Sequence, residues 1–145
     1  MNDNIPEHVT DATTVTADPA LVTYTQWIYA LHTLSILIGI LSSAAIVTMF
    51  IFGVPSIIAV VMNYVKRNDV RGTWLDSHFS WQIRTFWFAL LWVVAASLLF
   101  GPLVIIVIGL IPLLISYFCV GLWATYRIVR GWLALRAGRP LPGRR

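Results

Sequence analysis

KRNDVRGTWLDSHFSWQIRTFW, from Lys66 to Trp87, decides how the rest of the chain is read. It carries Asp69 and Asp76, the only acidic residues beyond the N-terminal tail, and four of the ten basic ones, Lys66, Arg67, Arg71 and Arg84. On either side lie long blocks without charge, Pro19 to Val65 and Thr85 to Tyr126. The stretch therefore reads as a polar connector between two pairs of membrane helices, with a short amphipathic lead-in to the third. Asp76 or Ser77 is suited to cap that helix, a side-chain oxygen accepting from the free N–H groups of its first turn.

Composition sets the solvent. The chain is 59% hydrophobic and 11% charged, with a mean hydropathy of +0.81, whereas soluble domains average about 25% charged residues. So few charges cannot clothe a globule in water, and lipid must surround most of the chain. The net charge of +4 is read as a positive-inside bias at helix ends, not as a nucleic-acid footprint. A lone Cys119 can form no internal disulfide. Residues 1–22, with Asp3, Glu7, Asp11, Asp18 and no Lys or Arg, form an acidic tail expected to be disordered. No basic region precedes the first apolar run as a signal peptide requires.

Each apolar block is too long for one pass. Trp27 to Val65 as a single helix would measure about 58 Å, and Thr85 to Tyr126 about 63 Å, against a hydrocarbon core of about 30 Å. Two hairpins follow, with spans near 25–43, 46–64, 84–104 and 110–128 and a polar loop over 66–83. Pro55 is expected to kink the second span. The first turn is weakly marked, since Gly53-Val54-Pro55 would leave a second segment too short to cross. One long tilted helix, giving three spans, is the alternative. The second turn is better marked, by Gly101-Pro102, Gly109 and Pro112. The fold class is thus an all-α integral membrane bundle over 23–135, closed by a basic tail at 136–145. All ten Lys and Arg fall in the connector or the C-terminal end, which the positive-inside rule makes cytoplasmic, with both termini inside.

Two runs carry a resemblance: SHFSWQIRTFWFALLW (Ser77 to Trp92) and YRIVRGWLALRAGRPLP (Tyr126 to Pro142). The chain resembles a family of small bacterial inner-membrane proteins of unknown function, distantly related to the twenty-kilodalton chloroplast Tic import component. Asp76, His78 and Trp81-Gln82 match that family's acidic residue, His and aromatic-x-Gln before the third helix. Tyr126-Arg127-Ile128, Gly131 and Gly138-x-Pro140 match its ending, and His32 sits where an early His-bearing helix lies. Trp81 departs mildly, since many relatives carry Phe there. The resemblance implies four membrane helices in a bacterial inner membrane and hardly any biochemistry.

No pattern points to catalysis, a cofactor or a metal. His32, His78 and Cys119 make no zinc motif, and no nucleophile elbow or phosphate loop is present. One constellation stands out: Asp76, His78, Trp81, Gln82 and Arg84, with Tyr126, Arg127 and Arg130 approaching from the fourth helix. Arg127 and Arg130, three apart, face the same way. The group suits a cytoplasmic-side site for anionic lipid headgroups or for a loop of another membrane protein. The plainer reading, in which Asp76 and Gln82 tie helix ends while the arginines anchor the bundle, is preferred. Arg84 is placed to snorkel or to pair with Asp76 or Asp69. The aromatics from Trp74 to Trp92 read as an interfacial belt. His32 reads as interhelical glue, through a Ser, Asn63 or a backbone carbonyl, rather than as part of a proton relay. Ser35, Gly39 and Ser43 have the spacing of a close helix contact. The expected role is a non-catalytic membrane component assisting other membrane proteins; a small carrier or channel is the alternative.

Overall fold

The computed structural model describes residues 17–41 and 53–142, and all regular structure among them is helical. Four helices follow in order: α1 (Pro19–Leu41), α2 (Val54–Val65), α3 (Leu75–Val104) and α4 (Leu110–Arg136). Three of them, α1, α3 and α4, are long and apolar enough to cross a membrane, and α2 is a shorter apolar helix. The acidic tail before residue 17, Ser43 and the start of the second expected span lie outside the described residues.

Helix starts and stops have local causes. Asp18 opens α1: its Oδ1 accepts from the Ala20 N–H (2.8 Å) and its carbonyl from the Val22 N–H (3.1 Å). Pro19 then occupies the first helical position, where a missing N–H costs nothing. The helix thus begins six residues before the expected span. Gly53 caps α2, and Pro55 lies in its first turn, so it starts this helix and does not kink it. Trp74 stands at the cap position of α3 without a side-chain hydrogen bond, which corrects the capping role expected for Asp76 or Ser77. Gly138, at φ +64°, ends α4 in the left-handed conformation that glycine adopts freely. Arg139 N–H then reaches back to the Ala134 carbonyl (3.0 Å), and Pro140 follows.

The helices form two antiparallel pairs. Tyr24 Oη donates to the Met62 carbonyl (3.1 Å), and His32 Nδ1 meets Ser56 Oγ (3.1 Å), so α2 runs back along α1. This rules out one long tilted helix. In the second pair, Arg127 Nε donates to Thr85 Oγ1 (2.8 Å), and Ser97 and Tyr117 share a hydrogen bond (2.7 Å) farther along. The turn between α3 and α4 falls where the glycines and prolines mark it, with Pro102 near the end of α3 and Pro112 in the first turn of α4. α1 and α3 each touch all three other helices, and α2 and α4 occupy the opposite corners.

Sidedness is inverted relative to a water-soluble bundle. Thr25, Ile28, Tyr29, His32, Ser35 and Ile36 recur at helical spacing on the buried face of α1, while Trp27, Leu34, Leu37 and Ile38 face outward. On α2 the buried residues are Ser56, Ala59, Val60 and Asn63, and the exposed ones include Val54, Ile57, Ile58, Val61 and Val65. Polar groups point in and branched apolar ones point out, the arrangement that lipid favours and water opposes.

Val107, in the α3–α4 turn, has φ +66° and a 70% exposed side chain. A β-branched residue there is strained by about 1–2 kcal/mol and packs little in return. Val107→Gly is expected to raise stability by about 1 kcal/mol, read as a higher melting temperature in detergent.

Candidate functional site

The charged groups gather at one end of the bundle. Asp18, Lys66 and Asp69 line one hollow there, and Arg67, Asp76, Arg84 and Pro140 another of about 550 Å³. The C-terminal segment closes over the same end. Leu141 N–H donates to Ser77 Oγ (3.0 Å), and His78 Nε2 donates to the Arg139 carbonyl (2.9 Å). The connector and the C-terminal arginines are therefore neighbours. Lys66 Nζ donates to Asp69 (2.7 Å), the one ion pair among the described residues. That hydrogen bond holds the ammonium pKa above the ordinary lysine value. The pair is exposed and salt-screened, so it contributes little to stability.

Within this end the expected constellation divides. His78 is fully buried and belongs to the core. With Nε2–H given to the Arg139 carbonyl, its neutral ring offers Nδ1 as acceptor to the Tyr29 hydroxyl (3.1 Å). The rings of Tyr29 and Trp74 stand edge-on to it, at 6.0 and 5.4 Å. One imidazole thus joins α1, α3 and the C-terminal segment. Tyr29 in turn lies against the backbone of Gly131, leaving no room there for a side chain.

Trp81 and Thr85, both buried, form a second set with the half-buried Arg127. The Trp81 indole N–H donates to the Arg127 carbonyl (3.1 Å), and the Arg127 guanidinium lies 3.6 Å from the Trp81 ring centroid and 5.1 Å from that of Trp123. Arg130 approaches the same Trp81 ring at 5.8 Å and donates to Tyr126 Oη (3.1 Å). Arg127 and Arg130 do face one way. Arg84 uses its Nε on the Ser80 carbonyl (3.2 Å) and pairs with neither Asp76 nor Asp69. Asp76 and Arg84 line the hollow beside Arg67.

The ties between helix ends are thus made by His78, Ser77, Trp81, Thr85 and Arg127, and not by Asp76 and Gln82. Gln82 is fully buried near the Tyr29 hydroxyl, yet neither of its amide atoms reaches hydrogen-bonding geometry. The Asn63 amide is likewise buried without a hydrogen bond, and the glue expected of His32 includes a serine, Ser56. A buried polar group without a partner costs about 1–3 kcal/mol. Gln82→Met keeps the length and removes that cost, and is expected to raise the melting temperature by the equivalent of about 1 kcal/mol. A marked loss of stability instead would show the amide to be satisfied.

The expected aromatic belt also divides. Phe79, Trp81 and Phe86 are core residues, while Trp87, Phe88 and Trp92 are exposed. Trp87 Nε1 donates to Tyr64 Oη (2.8 Å), linking α3 to α2. Three contributors went unrecognised as such in the sequence: Tyr29, Trp123 and Arg67. A signal existed for Tyr29, because Thr25, Tyr29, His32 and Ser35 form one polar stripe on an otherwise apolar helix. Set against known protein families, curated proteins and solved structures, the chain finds no match.

Proposed function

We propose that this chain is a non-catalytic component of a bacterial cytoplasmic membrane, with its charged end in the cytoplasm and four helices embedded in lipid. It assists the assembly or function of another membrane protein, through helix contacts and through a basic face that meets anionic headgroups. The resemblance at Asp76, His78 and Trp81-Gln82 supports the bacterial setting. The observation that carries the reading is the inverted sidedness of α1 and α2. Their polar residues are turned into the bundle, which leaves apolar outer surfaces for lipid or for a neighbouring helix. Three clustered guanidiniums without acidic partners among the described residues give the cytoplasmic face its anion preference.

A photo-crosslinker at Arg71, exposed in the connector, tests this in intact membranes. The expected product is a discrete adduct with one other membrane protein, retained on detergent purification. Recovery of this chain alone would count against the assisting role. Flux through proteoliposomes that His32 or Gln82 substitutions abolish would favour a carrier instead.

A further inference from the structure

We infer that the α3–α4 hairpin holds one anionic phospholipid, its phosphate on Arg84, Arg127 and Arg130 and one acyl chain in the groove above them. The inference rests on the reading that the charged end lies at a membrane surface, and it names the ligand of that surface.

The groove is about 400 Å³, walled by Trp92, Ala95 and Leu99 of α3 and Ser116, Cys119 and Trp123 of α4. Its small residues leave the space, and the flanking large ones give it sides. Its few polar atoms are quiet: Ser116 Oγ is turned onto the Pro112 carbonyl of its own helix (2.7 Å). Trp92 to Leu99 covers about 10 Å of helix, roughly two-thirds of one leaflet's hydrocarbon depth.

The arginines stand on the same faces. On α4, Ser116, Trp123, Arg127 and Arg130 follow helical spacing along one stripe, and on α3 so do Arg84, Trp92, Ala95 and Leu99. The join is direct, because the Trp123 ring is both a wall of the groove and a partner of the Arg127 guanidinium at 5.1 Å. Arg84 and Arg130 act on Arg127 as like charges, and none of the three has a carboxylate within ion-pair distance among the described residues. A half-buried guanidinium flanked by two others needs an anion, and a phosphodiester at the membrane surface supplies one bidentately. A second copy docked through this face by two-fold symmetry would instead bring the arginines together.

The test uses the full chain in phosphatidylcholine nanodiscs doped with a mid-chain diazirine lipid, either phosphatidylglycerol or phosphatidylcholine, with adducts mapped by peptide mass spectrometry. Phosphatidylglycerol adducts are expected to concentrate in the segments 92–100 and 116–123 and to exceed those of phosphatidylcholine. Arg130→Gln and Arg84→Gln, both at partly or fully exposed positions, should each reduce that excess about fivefold. Ala95→Phe, on the exposed wall of the groove, should remove the groove adducts. Equal labelling by the two lipids, or adducts spread evenly around the hairpin, would overturn the inference. The Arg71 adduct with a partner protein is scored separately, so its survival beside a failed lipid test would spare the assisting role.

Discussion

Gly131→Leu is expected to be among the most destabilising single substitutions in the chain. A Cβ at residue 131 would lie 2.8 Å from Tyr29 Cε1 and 2.9 Å from Cζ, closer than real carbon contacts. The Tyr29 ring cannot step aside, because it is fully buried and its hydroxyl is held by His78 at 3.1 Å. Overpacking of a filled core costs about 1–3 kcal/mol, and the contact joins α1 to α4, which otherwise belong to different pairs. For Gly131→Ala the clash is partly offset by about 1 kcal/mol of helix propensity, so a loss of about 0–2 kcal/mol is expected. Leu should exceed the upper end. Pairing Gly131→Leu with Tyr29→Ala should cost less than the sum of the two, which a double-mutant cycle on thermal unfolding in detergent measures. Additive losses would mean that the two residues do not meet.

His78→Ala is expected to cost about 3 kcal/mol, since it opens a core cavity and strands two polar groups at once. Tyr29→Phe removes only one of the two hydrogen bonds and should cost about 1 kcal/mol. The two changes also differ in where the damage appears. Loss of His78 frees the Arg139 carbonyl and leaves, among the described residues, Leu141 N–H on Ser77 as the hydrogen bond from that segment to α3. Trypsin cleavage after Arg136, where α4 runs into that segment, should therefore accelerate in His78→Ala and stay close to the parent rate in Tyr29→Phe. Equal cleavage rates in both would show that the C-terminal segment is held by other contacts.

These residues also show how far the sequence can be read. The second hairpin was legible because helix rise and bilayer thickness are fixed lengths, and no arrangement of that block avoids a turn near Gly109; the first stayed open against one long tilted helix, because no strong breaker marks its turn. The gathering of charge at one end followed from the folding back of both blocks. Helix ends were less legible, though Asp18-Pro19 is a strong start signal that composition alone reads as tail. Leu75 opens α3 well inside the polar connector because packing against α1 and the C-terminal segment stabilises residues that are not themselves apolar. For the candidate site, spacing correctly put Arg127 beside Arg130. It could not assign neighbours across helices: His78 and Arg84 are six residues apart, yet one faces Tyr29 in the core and the other a surface hollow. Such partners lie 42 to 61 residues away in the chain, and no local pattern encodes them.

The folded-back helices are predicted to bring the connector and the C-terminal end to one side of the membrane. Single cysteines in a Cys119→Ser background, at Asp69, Ala137 and Ile106, test it by labelling with a membrane-impermeant maleimide in intact and opened cells. Asp69→Cys and Ala137→Cys are predicted to react only after the cells are opened, and Ile106→Cys, in the apolar turn, not to share that cytoplasmic reactivity. Ready labelling of residue 69 or residue 137 from outside would show that the connector or the C-terminal end lies on the outer side.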